Sequence, residues 1–560
     1  MLWDALTAAR DLGRLKQIAA VLIRYGFGDI VQRVGMAAAL QRAGEALRWR
    51  TIEGLTELAP PVRLRRALED LGPTFVKLGQ ILATRVDLLP PDWAAELAKL
   101  QDAAPPVPIS DVWKQIKEDL GDAPEAVFAE VEREPLAAAS LAQVHRARLP
   151  DGTAVILKVR RPGVRQVIEA DLQLLNRLAD IVETEAPDMR RYRPREVMAQ
   201  FTQSLRLELD FTSECRNAQR IRENLAAYPD IVVPRVHWRW CGERLNVQDC
   251  IRGIPGRDLA AVDAAGLDRK LLARRGAQAV LKMIFEDGFY HADPHPGNIF
   301  YLPENGIAFI DFGMVGRLSE TRRYELALLL YHLLVKRDSA SAADVLLEWG
   351  DGRVEAEELA SQIEALLDRY YGVEFRQFDF GAYLSDVVNL LREHGLALPP
   401  ELALLIKAFI SLQGMGRQLD PEFDIVSECA PFFQGVLLGH YAPSVLAERG
   451  RRTLGSALRL LNELPTGLSD FLRAARQGKQ QTQMDVVSLR PLAGEIDRSA
   501  NRMAVSMVTA SLVVGSSIVL AAGVRPKASR LSSLGRFGLV GALIGGAWLT
   551  ASIRRSGRGK

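Results

Sequence analysis

The 560-residue sequence has no strong excess of either charge, because 71 Lys and Arg residues are balanced by 69 Asp and Glu residues. This balance gives no global basic field of the kind that attracts nucleic acid, and we predict no nucleic-acid partner. The chain is also poor in cysteine: Cys215, Cys241, Cys250 and Cys429 have neither CxxC spacing nor the density of a secreted disulfide scaffold. We interpret them as reduced structural thiols.

No secretory signal peptide is expected at the N-terminus. The first 25 residues contain a short apolar stretch, Ile18 to Ile23, between Lys16 and Arg24, and no small-residue cleavage pattern follows it. Arg10 and Arg14 add positive charge to this amphipathic stretch. It fits either a helix lying on anionic lipid or a solvated surface helix.

Two long uncharged segments lie near the other end of the chain. Residues 503–524 and 537–553 span 22 and 17 residues, lengths that fit helices crossing a bilayer. Six basic residues flank their outer ends and four lie between them, which favours a helical hairpin with both outer ends in the cytoplasm. Gly541 and Gly545 form a GxxxG pattern that is compatible with a homodimer.

The length of the chain exceeds what one hydrophobic core normally organises, which favours several domains. Residues 1–108 show helical periodicity and end in a Pro-rich breaker run, and residues 109–252 mix β-prone runs with helices. Residues 253–485 are predicted to be mainly helical, interrupted by one short strand pair, and residues 486–560 form a membrane anchor. The predicted fold class is α+β.

The most informative segment is HADPHPGN at residues 291–298, followed by two apolar runs and DFG at residues 311–313. Asn305-Gly306 between the apolar runs predicts a hairpin, because Asn and Gly tolerate the positive φ angles of a tight turn. The hairpin would carry Asn298 beside Asp311, and their side-chain oxygens suit Mg²⁺. This spacing is that of the kinase catalytic loop and DFG motif, in which Asp293 would face the transferred phosphoryl group.

Lys158 lies in a β-prone run and would point away from the core, as the lysine of the V-A-I-K strand does in kinases. A solvated strand lysine is the alternative. Kinases hold this lysine with a helical glutamate, and a helix predicted over residues 196–223 carries Glu208, Asp210 and Glu214. Asp210 and Glu214 lie four residues apart, which suggests lysine partners for both, whereas Glu208 would serve another lysine.

The sequence lacks a glycine-rich loop before Lys158. The segment from Leu136 to Val144 contains three successive alanines and no glycine. Because alanine takes positive φ less readily than glycine, we expect a stiffer loop that holds phosphates in a different geometry. The chain also lacks an APE sequence after Asp311. Both absences argue against an ordinary protein kinase.

With these motifs in order, the chain resembles the UbiB/AarF/ADCK family of atypical kinases. Residues 77–80 read KLGQ and match the KxGQ motif, residues 137–140 match the alanine-rich loop, and residues 208–210 read ELD and match the ExD motif. The resemblance runs from about residue 20 to the C-terminal apolar segments. It implies a bilobal protein-kinase-like fold with a helical N-terminal extension and a C-terminal transmembrane helical hairpin.

The resemblance also implies roles for individual residues. Asp293 and Lys158 would be catalytic, and Asn298 and Asp311 would bind Mg²⁺. The residues implied in nucleotide binding are Leu136, Ala137, Ala138, Ala139, Ser140, Val144, Lys158, Glu214 and Asp249, the last in a hinge that reads Gln248-Asp249-Cys250. The residues implied in covering the site are Lys77 and Gln80, which would meet Glu208 and Asp210.

By the same likeness, the protein would be an ATP- and Mg²⁺-dependent kinase or ATPase that supports ubiquinone biosynthesis. It would be an integral protein of a bacterial inner membrane with its kinase-like domain facing the cytoplasm. The implied partners are membrane lipids, lipophilic quinone precursors and other enzymes of ubiquinone biosynthesis. The alternative is a nucleotide-gated lipid-binding or scaffold protein that carries out no phosphoryl transfer.

Overall fold

The computed structural model describes residues 9–33, 35–42, 57–84, 89–100, 104–185, 190, 193–349, 355–370, 380–394, 396 and 400–440. These residues belong to the first of two compact units, residues Met1–Glu448. The two predicted transmembrane segments and the GxxxG glycines lie outside the described residues. Within the described part, no helix combines the length and the apolar character needed to cross a bilayer.

The described N-terminal region is helical, as predicted. Its helices are α1 (Ala9–Arg24), α2 (Gly28–Arg33), α3 (Met36–Arg42), α4 (Pro60–Leu71), α5 (Pro73–Thr84) and α6 (Pro91–Leu97). The apolar face of α1 is buried against α4 and the later helix α9 (Val164–Glu185), so the idea that this face lies on lipid is wrong. Gly79 allows α5 to approach its neighbours, because a Cβ atom there would lie 2.3 Å from Leu100 Cδ1 and 2.8 Å from Leu68 Cδ1.

The next region is an antiparallel sheet with helices on both sides. Its elements are α7 (Ile109–Leu120), α8 (Pro124–Val127), β1 (Glu130–Val131), β2 (Ala137–Ala138), β3 (Ala142–Arg148), β4 (Ala154–Arg160), α9, α10 (Pro194–Glu208), α11 (Phe211–Asn224) and β6 (Leu245–Asp249). The strand order is β1-β3-β4-β6, and β2 also pairs with β3. The predicted mixture of strands and helices is therefore confirmed, and Gly152 supplies the positive φ, 86°, of the turn between β3 and β4.

The following region is mainly helical. Its elements are β7 (Ile254–Pro255), α12 (Leu259–Ala264), α13 (Arg269–Lys282), β8 (Phe289–His291), β9 (Ile299–Leu302), β10 (Gly306–Phe309), β11 (Val315–Arg317), α14 (Glu320–Leu330), α15 (Ser339–Leu347), α16 (Ala356–Arg369), α17 (Phe380–Glu393), α18 (Pro400–Leu419) and α19 (Ile425–His440). Asp or Ser side chains cap the N-termini of α12, α13, α14 and α15.

The prediction of one strand pair in this region is wrong. Besides the β9–β10 hairpin, β8 pairs with β11, and β7 pairs with β9. β5 (Ile231–Val232), which comes before β6 in the chain, pairs in parallel with β10. The chain therefore passes from the first sheet to the second and back before β6. β7, β8 and β11 have only two or three residues, too few to show a clear alternation, so sequence reasoning missed these three strands.

A buried carboxylate anchors the N-terminal helices to α9. Asp171 is 1 % exposed, and its Oδ1 and Oδ2 accept hydrogen bonds from Arg14 Nε and Nη2 at 2.6 and 3.0 Å. Thr74 Oγ1 donates to the same carboxylate at 2.6 Å. Three helices, α1, α5 and α9, therefore meet at one buried carboxylate that is hydrogen-bonded and paired with a guanidinium.

We predict that Asp171→Ala lowers the free energy of unfolding by about 3 kcal/mol, because it leaves the Arg14 guanidinium partly buried without its counter-charge. Urea unfolding followed by tryptophan fluorescence measures the loss. Glu169→Ala is the matched control, since Glu169 lies on the same helix and pairs with Arg206 at the surface. Its loss should stay below about 1 kcal/mol, and equal losses in both variants would contradict the assignment.

Candidate active site

Lys158 joins three separate parts of the chain. It lies on β4, on the face opposite to the buried Leu157. Its Nζ atom donates to both carboxylate oxygens of Glu214 at 2.9 Å and lies 3.4 Å from Asp311 Oδ1. The Lys158 side chain is 17 % exposed, so it is not a solvated strand lysine. These three residues form the ion cluster of the site.

A helix break positions Glu214. The prediction of one continuous helix over residues 196–223 is wrong, because α10 ends at Glu208 and α11 begins at Phe211. Asp210 between them has an extended backbone, φ −104° and ψ 98°, and its Oδ1 accepts a hydrogen bond from the backbone N–H of Thr212 at 2.9 Å. Asp210 thus caps α11 and does not share a helix face with Glu214.

The charges of the ion cluster fix its protonation states. Burial alone would lower the pKa of Lys158, but the negative charges of Asp311 and Glu214 outweigh burial and raise that pKa above its usual value. The Lys158 ammonium lowers the pKa of Asp311 to about 2. Burial raises the pKa of Glu214, and the same ammonium opposes that rise. Asp311 is therefore an anion and Lys158 a cation at physiological pH.

His291 holds residues 291–298, the catalytic-loop segment, against the DFG segment. Its Nδ1 accepts a hydrogen bond from the backbone N–H of Asp293 at 3.3 Å, and its Nε2 lies 3.2 Å from the carbonyl oxygen of Ile310. Burial lowers the pKa of His291. A neutral ring that carries its proton on Nε2 satisfies both contacts, and the ring packs 5.2 Å from that of Phe312.

The hairpin between the loop and the DFG segment forms as predicted, but its turn geometry was predicted wrongly. Glu304 and Asn305 have the positive φ angles, 59° and 58°, whereas Gly306 has φ −73° and begins β10. Arg275 Nη1 donates to the carbonyl oxygens of Glu304 and Asn305 at 2.9 and 2.6 Å. This long-range contact stabilises the turn. The Asn-Gly pattern predicted the positive φ angles one residue further along the chain than they occur.

The hairpin brings Asn298 and Asp311 to the same end of β9 and β10, because the backbone N–H of Ile310 donates to the carbonyl oxygen of Asn298 at 2.9 Å. The Asn298 amide nitrogen donates to the carbonyl oxygen of Asp293 at 3.2 Å, which leaves the amide oxygen for a metal. Asp311 uses Oδ1 toward Lys158 and Gly313, which leaves Oδ2.

One amide oxygen and one carboxylate oxygen fit Mg²⁺, a hard cation that takes few protein ligands and completes its shell with phosphate and water. The described residues contain no group of three or more His, Cys, Asp or Glu side chains arranged to hold a metal. A metal held by Asn298 and Asp311 would thus depend on a ligand for its remaining oxygens. Asp311 has φ 60°, a left-handed conformation that Asp and Asn adopt more easily than most residues.

The alanine-rich loop is a tight hairpin held from outside. Ala137 and Ala138 form β2, and the backbone N–H of Ala139 donates to the carbonyl oxygen of Ala142 at 2.8 Å. None of the three alanines has a positive φ. Arg161 donates to the carbonyl oxygens of Ala139 and Pro105, both at 2.7 Å, so the loop is tied to the linker that follows the N-terminal helices.

The remaining predicted nucleotide residues lie around the same sheet. Val144 on β3 is directly opposite Lys158, and its carbonyl oxygen accepts a hydrogen bond from the N–H of Leu136 at 2.7 Å. Ser140 is buried in the loop. Asp249 ends β6, and its side chain is engaged by His237 Nε2 at 2.8 Å and by the backbone N–H of Arg235 at 3.2 Å.

The KxGQ helix α5 contacts the end of α10. Lys77 Nζ lies 3.1 Å from Glu208 Oε2, and each side chain is 14 % exposed. The positive charge of Lys77 contributes to the lowered pKa of Asp311, after the larger effect of Lys158. Gln80 Nε2 donates to the carbonyl oxygen of Leu100 at 3.2 Å. The structure thus brings Lys77 and Glu208 together and gives Asp210 its separate capping role.

Sequence reasoning missed one charged residue at the site. Lys407 on α18 places its Nζ 3.0 Å from Asp293 Oδ2. It follows Asp293 by more than 100 positions and lies in a helix whose sequence shows only apolar periodicity around it. No local motif could have predicted this contact.

Comparisons with known proteins point to the same family in three successive parts of the chain. The family patterns that match are the ABC1 atypical kinase-like domain at residues 99–346, the UbiB helical domain at residues 363–424 and the ABC1/UbiB kinase-like C-terminal domain at residues 487–555. A "Probable protein kinase UbiB" of Pseudomonas paraeruginosa is 38 % identical over 443 residues, which are 77 % of this chain and 83 % of that protein. The chain belongs to the UbiB/ADCK family.

Another "Probable protein kinase UbiB", from Xylella fastidiosa, is 32 % identical over 558 residues, covering 98 % of this chain and 100 % of the relative. Among solved structures, the complex of Rv3197 with erythromycin from Mycobacterium tuberculosis has a TM-score of 0.45 and 24 % identity, and the match covers 65 % of this chain and 94 % of that one. That likeness is too distant to carry a conclusion. The ABC1 match and the two sheet-bearing regions confirm the bilobal kinase-like fold.

We predict that Lys158→Met destabilises the protein most at neutral pH. The lowered pKa of Asp311 means that the wild-type ion cluster stabilises the fold above about pH 4 and loses this contribution as the pH falls toward 2. In the variant, Glu214 is buried without a cation and is relieved when it gains a proton. The difference in melting temperature between variant and wild type should therefore shrink from pH 7 to pH 3.

Lys270→Met is the control for this measurement, because Lys270 makes an exposed ion pair with Glu422. Its melting temperature should follow that of the wild type at each pH. A deficit in Lys158→Met that is the same at pH 7 and pH 3 would contradict the assigned electrostatics.

We also predict that Lys77 and Glu208 are energetically coupled. A double-mutant cycle with Lys77→Met and Glu208→Gln should give a coupling energy of about 1 to 2 kcal/mol, because both side chains are largely withdrawn from water. The exposed pair of Arg148 with Glu130 is the comparison, with an expected coupling below about 1 kcal/mol. Melting curves of the four proteins of each cycle provide the values.

Proposed function

We propose that the protein is an atypical kinase or ATPase of the UbiB type that binds Mg²⁺ and ATP and supports ubiquinone biosynthesis at a bacterial inner membrane. The observation that carries the proposal is the ion cluster: Lys158 contacts Glu214 and Asp311 at once. Phosphoryl-transfer sites of kinases need such a lysine, held by a helical glutamate, beside the metal-binding Asp of the DFG segment. An ion cluster with only a structural role would not need to lie beside the catalytic-loop segment.

Each residue would have a separate task in this chemistry. Lys158 would bind the inner phosphates of the nucleotide, with Glu214 holding its side chain in place. Asn298 and Asp311 would hold Mg²⁺, which neutralises charge on the phosphates when it is bound. Asp293, fixed by the backbone contact to His291, would orient the attacking hydroxyl or water and accept its proton.

The surroundings of the site favour a small acceptor or water over a protein substrate. The alanine-rich hairpin is tied to the linker through Arg161 and Pro105, and the KxGQ helix α5 is held by the pair of Lys77 with Glu208. The apolar segments at residues 503–524 and 537–553 support a position at the membrane. There, the ATP cycle would assist the handling of lipophilic quinone precursors.

The test is ATP turnover by the full-length protein in liposomes. We expect Mg²⁺-dependent hydrolysis by the wild type and a loss of about 100-fold or more in Asp311→Asn. Asn suits the positive φ at this position, so the substitution removes the charge with little strain on the backbone. Asp151→Asn, in the exposed β3–β4 turn, is the matched control and should retain full turnover.

An absence of both ATP binding and ATP turnover in the wild type would contradict the proposal, as would normal quinone content in a strain that lacks the gene. The alternative is a nucleotide-gated lipid-binding or scaffold protein. It gains support from the ion pair of Lys407 with Asp293, because this pair occupies the carboxylate that would act as the general base. Asp293→Asn separates the two functions. If this variant binds ATP, hydrolyses none and restores quinone synthesis, binding alone is the physiological activity.

A further inference from the structure

Lys407 reaches the catalytic-loop segment from a distant part of the chain. It lies on α18, within the region that matches the UbiB helical domain. Its neighbours Ala408 and Phe409 are fully or almost fully buried, and α18 packs against α13, β11 and the KxGQ helix α5. These contacts of α18 hold the lysine in place.

The catalytic-loop segment has no cation of its own. Residues 291–298, HADPHPGN, contain neither Lys nor Arg, and His295 Nδ1 accepts a hydrogen bond from the backbone N–H of Gly297 at 2.9 Å. Lys158 is engaged by Glu214 and Asp311, and Lys77 by Glu208. Among the residues that the structure describes, the cation that contacts the Asp293 carboxylate is Lys407, whose side chain is 29 % exposed and therefore open to a ligand.

Phosphoryl transfer requires positive charge at the transferred group. The acceptor oxygen forms a bond to the γ-phosphorus, the bond from that phosphorus to the β–γ bridging oxygen breaks, and ADP leaves with the electron pair. The acceptor proton passes to Asp293. Negative charge on the equatorial oxygens must be stabilised during this exchange, and Lys or Arg side chains serve this purpose in phosphoryl-transfer enzymes.

We propose that Lys407 binds the γ-phosphoryl group and stabilises its transfer, so that the helical domain contributes a catalytic residue. This inference rests on the proposed nucleotide site. Without nucleotide, the ammonium is paired with Asp293 at 3.0 Å. The triphosphate brings a higher negative charge to the same place, and Lys407 then shares its charge-assisted hydrogen bonds between Asp293 and the phosphate.

The experiment compares ATP and ADP on the full-length protein in liposomes. Lys407→Met should weaken the binding of ATP about tenfold and lower kcat by about tenfold or more, while ADP, which lacks the γ-phosphate, should bind as tightly as to the wild type. Lys407→Arg keeps the charge and should recover part of kcat. Lys270→Met, which removes a lysine that also links α13 to the helical region through Glu422, should behave as the wild type.

The outcomes separate this inference from the proposed function. If the wild type binds neither nucleotide, the proposed function fails and Lys407 has no phosphate to contact. If the wild type binds and hydrolyses ATP but Lys407→Met keeps or exceeds its turnover, the role of Lys407 is wrong. If Lys407→Met loses ATP and ADP affinity equally, the lysine is a structural tether and the proposal is overturned.

Discussion

The ion cluster of Lys158 with Glu214 and Asp311 is the constraint on which the rest of the site depends. Its three members come from β4, α11 and the DFG segment, and the buried carboxylate of Glu214 has the ammonium as its counter-charge. The cluster forms only when the sheet, the capped helix and the β9–β10 hairpin are all in place. A local error in any of these elements would leave the buried carboxylate of Glu214 without its counter-charge.

The parts of the fold that sequence patterns predicted are those with a strong local signal. The β3 and β4 strands follow from β-prone runs on either side of a glycine-containing turn, and the loop-hairpin-DFG order follows from spacing alone. Predictions failed where distant contacts decide the local structure. Asp210 interrupts a helical period to cap α11, and Arg275 shifts the left-handed turn residues away from Gly306. Sequence patterns also could not predict the partner of Asp293, because Lys407 lies in another region of the chain.

The site is enclosed by elements outside the kinase-like core. The linker after the N-terminal helices contacts the alanine-rich hairpin, since the backbone N–H of Ala104 donates to the carbonyl oxygen of Ala138 at 3.2 Å. On another side, α5 carries Lys77 toward Glu208, and α18 packs on α5. The N-terminal extension and the helical region thus meet beside the catalytic residues, and each contributes a lysine to this part of the structure.

The path of β5 has a mechanical consequence for the two lobes. Two lobes joined by a single segment of chain can rotate freely about that segment. In this protein the chain runs from α11 to the β5–β10 pair, returns to β6 in the first sheet and then passes to β7 in the second. Three segments of the chain therefore connect the two sheets: the one before β5, the one between β5 and β6, and the one between β6 and β7. Three such connections restrict the rotation of one sheet relative to the other more than a single connection would.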